Sequence, residues 1–436
     1  MVRVMRMSRT TRRIATPRPG RAARRAARLG VLGALALLTG LLPGCAAARR
    51  IETVFAPSVR PLTMAEPMRG VWVTRWDYRT PDDVRTIVRN LAQQGFTDVF
   101  WQVRGQGDAY YKSSLEPWGE ALFRTSPGDK TPPARAVLEK GPGFDPLELA
   151  AREARSRGMR IHAWMNVIPL WRGNTEPVSP AHPWAAKRAW RLRDDRGVEQ
   201  PLFGGYVLVN PVLEDVQDHL VSVARDIVKR YPVDGVHLDY IRFAPESADK
   251  DRWYPGDAVS LSLFRQARGL KPDAKVEPAA IRAWVRDRVS DLVRRIREEA
   301  VDTRSGVALT AAVWRRPDLA RDEHLQDGAL WANRGWVDVV IPMLYTTDDI
   351  RFRDDLRAWT QAIHRRGAVA PGVGTCLHDS GRQTVGQVRM HADDRRFVLF
   401  AYSSLFHSAN AESTDTPEAE SERLRRRTPL RAILRD

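Results

Sequence analysis

The sequence predicts an α/β protein, a (β/α)8 TIM barrel with loop insertions, and three observations carry that expectation. Short apolar or alternating runs rich in β-branched and aromatic residues recur eight times from Arg69 onward. Stretches of helical period separate them, so the rhythm is strand then helix throughout roughly 370 residues, the span of such a barrel with insertions. The marks of an open doubly wound sheet, GxGxxG after the first strand or GxxxxGK(S/T) anywhere, are absent, which leaves that fold as the weaker alternative.

The expected strands, in order, are "RGVWVTRW" (69–76), "DVFWQVR" (98–104), "MRIHAWMNV" (159–167), "VDGVHLD" (233–239), "GVALTAAVW" (306–314), "VDVVIPMLY" (337–345), "AVAPGVGT" (368–375) and "FVLFAYSS" (397–404). The helices between them have legible ends. Thr80-Pro81-Asp82-Asp83 supplies an N-cap, a proline at the first helical position and acids in the first turn, and Gly95 stops that helix. Asp145, Pro146 and Gly158 repeat the plan. A third helix carries Leu213, Val216, Leu220, Val223, Ile227 and Val228 at helical spacing, a stripe that belongs to a core.

The 436 residues are 43% hydrophobic and 28% charged, as in ordinary folded proteins. The formal charge of +17 suggests nucleic acid until its distribution is read: ten arginines precede Cys45, and +7 remains after it. No nucleic-acid partner is expected. The arginines lead into "LGVLGALALLTGLLPGC", an apolar run short for a transmembrane helix and suited to a signal-peptide core. It closes on Leu42-Pro43-Gly44-Cys45, which resembles a bacterial lipobox. Cys45 is thus the expected lipidation site and mature N-terminus, held in a membrane by its acyl chains and placing the protein in the cell envelope, facing the periplasm or the exterior. The expected organisation is a lipoprotein signal peptide (1–45), a tether (46–66), the barrel (67–410) and a charged C-terminal segment with a last helix (411–436). Cys376 then has no partner, so no disulfide framework is expected.

The strand "VDGVHLDYIRF" begins as a core strand should and ends in His237, Asp239, Tyr240 and Arg242. Side chains at the C-terminal ends of barrel strands face the mouth, where active sites sit. Asp239 is therefore the catalytic candidate. Other strand ends supply substrate-binding candidates: Arg104, Asp108, His162, Trp164, Asn166, His237, Arg242 and Tyr345. Alternation groups Gln102 with Arg104, His162 with Trp164 and Asn166, and His237 with Asp239, and it turns Trp72 and Trp101 away beneath helices. Carboxylate, imidazole, amide and guanidinium groups among indoles suit a sugar, whose CH faces stack on rings while its hydroxyls take hydrogen bonds. Structural roles stay open for Arg104, His162 and His237, and Asp239 could be an ion-pair partner of Arg242 or Arg104. No metal and no cofactor is expected, since HxH on strand one, HExxH and a cysteine cluster are all missing; GxSxG is missing too.

"RGVWVTRW", "FTDVFWQVRGQGDAYYKSSLEPW", "GFDPLELAAREARSRGMRIHAWMNV", "LVNPVLEDVQDHLVSVARDIVKRYPVDGVHLDYIRF" and "WANRGWVDVVIPMLYT" resemble, in order and spacing, the glycosyl hydrolase-like 10 family of bacterial envelope proteins, from about Met68 to about Tyr345 and more loosely beyond. The resemblance implies a barrel related to glycoside hydrolases, an envelope lipoprotein, and a polysaccharide substrate such as peptidoglycan strands freed of their peptides. It places the family's strand-four carboxylate at Asp239 and its strand-two and strand-three polar positions at Arg104, Asp108, His162 and Asn166. Tyr240 stands where many relatives repeat an acid, and Met343 where relatives often have Gln. Glycosidases normally use two carboxyl groups. Asp77, Asp108, Asp348 and Asp349 are open candidates for the second, and a substrate-assisted route needs none. The chitinase-like pattern DGxDxDxE aligns with Asp234, Gly235, His237 and Asp239 but meets Ile241 at its acid. A catalytically inactive barrel that binds glycan and positions other cell-wall enzymes is the alternative function.

Overall fold

The computed structural model describes residues 66–126, 131–245, 252–391, 395–409 and 415–434; the expected signal peptide with Cys45 and all but the last residue of the expected tether lie outside them. Eight parallel strands form one sheet: β1 (Met68–Val73), β2 (Asp98–Arg104), β3 (Arg160–Asn166), β4 (Gly235–Asp239), β5 (Ala308–Val313), β6 (Val339–Pro342), β7 (Gly372–Val373) and β8 (Arg396–Leu399). Neighbours follow chain order, and β8 returns to β1 through Met68 opposite Arg396. Single parallel bridges, Val340 to Val369 and Met343 to Gly372, join β6 to β7, so the sheet meets itself as a barrel.

Each strand hands over to one helix of the outer ring: α1 (Pro81–Gln94), α2 (Pro146–Arg155), α3 (Glu214–Arg230), α4 (Pro278–Glu299), α5 (Gly328–Asn333), α6 (Asp349–Ala362), α7 (Gly381–Arg389) and α8 (Pro417–Arg427). The caps are the ones the sequence announces. Thr80 and Asp83 form a capping box on α1, Asp145 accepts from Leu147 N–H and Glu148 N–H on α2, and Gly95 ends α1 in the left-handed region at φ 103°. Val84, Ile87, Val88 and Leu91 bury the inner stripe of α1, each contributing about 1.5–3 kcal/mol of hydrophobic stabilisation. The C-terminal segment supplies α8, whose Arg427 carbonyl accepts from the Gln94 side chain of α1.

Two apolar layers result. The larger lies between strands and helices, and a smaller one fills the barrel with Met68, Trp72, Phe100, Trp164, Ala312, Val339, Ile341, Ala370 and Val398. At the N-terminal end the barrel is closed by charge. Asp98 receives the Arg160 guanidinium through two bonds of 2.7 and 2.8 Å, a 2.6 Å bond from the Thr97 hydroxyl, and a 3.0 Å contact with His162 Nε2. These partners outweigh burial and hold the Asp98 carboxyl well below the usual range. Above it the Phe100 and His162 rings stack at 4.5 Å, and Gly235 admits them: a Cβ there would stand 2.2 Å from His162 Nδ1.

The insertion between β3 and α3 holds a two-stranded antiparallel ribbon, Pro169–Arg172 with Tyr206–Leu208. Its Arg172, Gly205 and Tyr206 help to wall the barrel mouth.

Candidate active site

At the C-terminal end of the barrel a cleft of about 410 Å³ opens, large enough for part of an oligosaccharide. Trp72, Trp164, Tyr345 and Phe400 supply its aromatic surface, together with Ala312 and Met343. The rings of Tyr206 and Tyr240 are tilted at 58° to one another with centroids 4.9 Å apart. Arg75, Arg172, Arg242, Gln102 and Asn166 supply polar groups, and Asp239 is the one carboxyl among the described lining residues.

Asp239 ends β4 and is 7% exposed. Its Oδ1 accepts from Tyr240 N–H at 2.6 Å. Burial raises its pKa above the usual carboxylate range, while Arg242 and that backbone bond pull the other way without prevailing. A carboxyl so placed keeps its proton to higher pH than a solvated one, which suits a proton donor. The next residue, Tyr240, has φ 48°, a left-handed conformation costly for a bulky side chain. That turn puts the Tyr240 ring on the cleft wall beside the acid.

Asn166 is fixed by both ends of its amide: Oδ1 accepts from the Trp164 indole N–H at 3.1 Å, and Nδ2 donates to Gly105 O at 3.1 Å. Arg75 donates to Tyr206 Oη at 3.2 Å and to Gln106 Oε1 at 3.3 Å, and its guanidinium covers the Trp76 ring at 3.9 Å. Arg242 lies over the rings of Tyr240 and Trp314, at 4.3 and 5.1 Å.

Of the residues the sequence nominates, Asp239, Trp164, Asn166, Arg242 and Tyr345 meet at this cleft. Four do not line it, which corrects the expectation for each. Arg104 is buried and grips Glu116 at 2.7–3.0 Å while donating to Val167 O, tying the loop after β2 to β3. Asp108 accepts from Gly105 N–H and Gln106 N–H, shaping that same loop from inside. His162 sits toward the barrel floor between Asp98 and Phe100. His237 lies buried below the cleft: its Nε2 accepts from the Trp72 indole at 3.0 Å, so its proton is on Nδ1, facing Thr310 Oγ1 at 2.9 Å. Burial lowers its pKa well below the usual value and keeps it neutral.

The open candidates for a second acid are also placed elsewhere. Asp77 holds Thr74 and Ser408, Asp348 caps α6, and Asp349 accepts from Gln387. Trp101 packs outside the barrel against Tyr78, as alternation implies. Trp72 does the opposite of the expectation and points inward, because β1 stops at Val73 and the Thr74–Asp77 turn breaks the count that leads back from Arg75. The alternating run "GGYVLVN" was the signal for Tyr206 and its ribbon; it lay inside a long insertion where no barrel strand was needed. Phe400, one residue past β8, lies inside the expected strand 397–404, where an apolar side chain gives no signal of a site. No group of three or more His, Cys, Asp or Glu is arranged to hold a metal ion among the described residues.

Comparison with known proteins agrees with this architecture. The model of the family described as glycosyl hydrolase-like 10 matches residues 67–366. "Glycosyl hydrolase DigH" of Escherichia coli K12 is 27% identical over 326 residues, covering 64% of this chain and 66% of that protein. "Glycosyl hydrolase YngK" of Bacillus subtilis is 24% identical over 281 residues, covering 59% and 48%. The matches thus span less than two thirds of these relatives' own length. Among solved structures, the catalytic domain of β-amylase from Paenibacillus polymyxa superposes with a TM-score of 0.52 at 9% identity, covering 83% of this chain and 97% of that one, a likeness of fold.

Proposed function

Since the chain belongs to the glycosyl hydrolase-like 10 family, we propose that it is a glycoside hydrolase that cleaves glycosidic bonds in a bacterial cell-wall glycan, with peptide-free peptidoglycan strands as substrate. The observation that carries the reading is Asp239, a buried carboxyl with a raised pKa at the end of a barrel strand, set in an aromatic cleft. The names of the relatives from Escherichia coli and Bacillus subtilis support the reaction class.

Asp239 is the proton donor. Sugar rings stack on the aromatic walls, and the Asp239 proton passes to the bridging oxygen as its bond to the anomeric carbon breaks. Because no second carboxyl lines the cleft among the described residues, the carbonyl oxygen of the sugar's own N-acetyl group attacks the anomeric carbon. Water, giving its proton back to Asp239, then opens the cyclic intermediate. Asn166, held by Trp164 and Gly105, is placed to orient an amide or hydroxyl. That Asp239 is the one carboxyl among the described lining residues also favours a second reading, a binding-only barrel that positions other cell-wall enzymes.

Incubating the protein with peptide-free peptidoglycan strands and reading the products by mass spectrometry separates the two. Shortened glycans from the native protein and none from Asp239→Asn are expected; intact strands with both would leave the binding-only barrel. Cys45, in our reading, carries the lipid that holds the enzyme at an envelope membrane. Radiolabelled fatty acid should enter the native chain and not Cys45→Ser.

A further inference from the structure

Among the described residues, three guanidiniums share the cleft with one carboxyl. Arg75, Arg172 and Arg242 all line it, and the Tyr206–Tyr240 ring pair links them. Arg75 donates to the Tyr206 hydroxyl, Arg172 lies 5.6 Å over the Tyr206 ring, and Arg242 lies 4.3 Å over Tyr240. Arg75 is occupied by Gln106 and Tyr206. Arg172 is exposed, with its guanidinium at the mouth. Arg242 differs from both. It is braced by two aromatic faces, its Nη1 is buried, and that atom has no hydrogen-bond partner among the described residues. A guanidinium N–H held out of water is ordinarily matched by a carboxylate or by carbonyl oxygens; the charge of Arg242 acts on the nearby Asp239 carboxyl, but that carboxyl does not satisfy the buried Nη1. His324, packed beyond Trp314, supplies no counter-charge, since an imidazole is neutral or cationic; burial, with Arg242 and Arg282 nearby, pushes its pKa down to about 4 and keeps it from adding a further positive charge.

We propose that Arg242, with Arg172 beside it, is a carboxylate-binding subsite, so that the cleft selects a glycan whose sugar carries a free carboxylate near the scissile bond. A planar guanidinium already held by ring faces offers a preformed fork to such a group, and Arg75 adds charge of the same sign. The inference deepens the glycan reading above and rests on it. In peptidoglycan the acid of this kind is the lactyl group of the muramic sugar. A stem peptide converts that carboxylate to a neutral amide, and removing the peptide restores the charge. The subsite would thereby read the absence of the peptide as the presence of an anion.

The test measures binding of soluble peptide-free peptidoglycan oligomers to full-length Asp239→Asn protein by calorimetry. Its comparison ligands are the same oligomers with the lactyl carboxyl methyl-amidated and a homopolymer of N-acetylglucosamine. An oligogalacturonate shows whether a carboxylate from a uronic acid serves as well. The free acid should bind roughly tenfold or more tightly than its amide at low salt. In Arg242→Met that gap should close to within about threefold, and Arg242→Lys should restore part of it. Equal binding of acid and amide would overturn the subsite while leaving the glycan reading intact. So would an Arg242→Met protein that weakens for both ligands alike. Failure of every saccharide to bind would overturn the glycan reading and the subsite together. Tight oligogalacturonate binding alone would keep the carboxylate subsite and remove peptidoglycan as its source.

Discussion

Burial raises the pKa of Asp239, and that makes the chemistry proposed for it sensitive to pH in a stated direction. A general acid must be protonated, so turnover should fall as pH rises through the raised pKa and should persist above the ordinary aspartate value of about 4. A pH–rate profile of glycan cleavage checks this. The same shift has a sign for stability: a carboxyl whose folded pKa lies above its unfolded one stabilises the fold at low pH and loses that contribution as pH rises through the folded pKa. Asp239→Asn should therefore lower turnover by about 10³-fold, yet melt at the same or a higher temperature at neutral pH, with any gain disappearing near pH 4. Asn keeps an oxygen for Tyr240 N–H, so the turn is preserved. Gly235 argues the opposite case, a residue with no chemistry and no tolerance. Gly235→Ala would drive a methyl into a ring fixed by Phe100 and Asp98, and should cost about 3 kcal/mol in urea unfolding.

Individual strands explain what could be read from the sequence and what could not. The end of β4 was legible because an acid, an imidazole and a guanidinium interrupt an apolar run. Side-chain direction was legible only while strands stayed regular, which is why Gln102, Trp164 and Asp239 could be grouped on inward faces and Trp72 could not. Reach was harder still. Alternation puts Arg104 on the Gln102 face, but a register shift between the two sets Arg104 opposite Met165, and Glu116, which the sequence places in an unremarkable loop, takes its guanidinium. The Thr74–Asp77 turn sets where Arg75 and Trp76 stand. Asp77 accepts from Thr74 N–H and Oγ1 at 2.7 and 2.9 Å and from the Ser408 hydroxyl at 2.8 Å. Asp77→Ala should cost about 2 kcal/mol of stability and raise KM for the glycan more than it lowers kcat. Steady-state kinetics beside thermal melts would show that split.

Across the whole molecule the fold was the most legible feature, because caps, stripes and strand runs repeat in one order and each repeat supports the next. The charged groups buried on that scaffold were not, since their partners lie far apart in sequence. Asp98 meets Arg160, and Glu116 meets both Arg104 and His219. Burial opposes ionisation of Glu116, but Arg104 and His219 outweigh it and hold its pKa down to about 2. A depressed folded pKa contributes stability above the unfolded value of about 4.3 and loses it as pH falls toward the folded one. The protein should therefore weaken steeply between about pH 4.5 and pH 2. Glu116→Gln should unfold more easily at neutral pH but with a shallower acid slope, as denaturant titrations at several pH values would record.

The seam between β1 and β8 also sets the order of assembly. Met68 begins the first strand and Arg396 begins the last, so the earliest strand to leave the ribosome waits for its second neighbour until the rest of the barrel has followed. Until then its hydrogen-bonding groups on that side stay open to other chains.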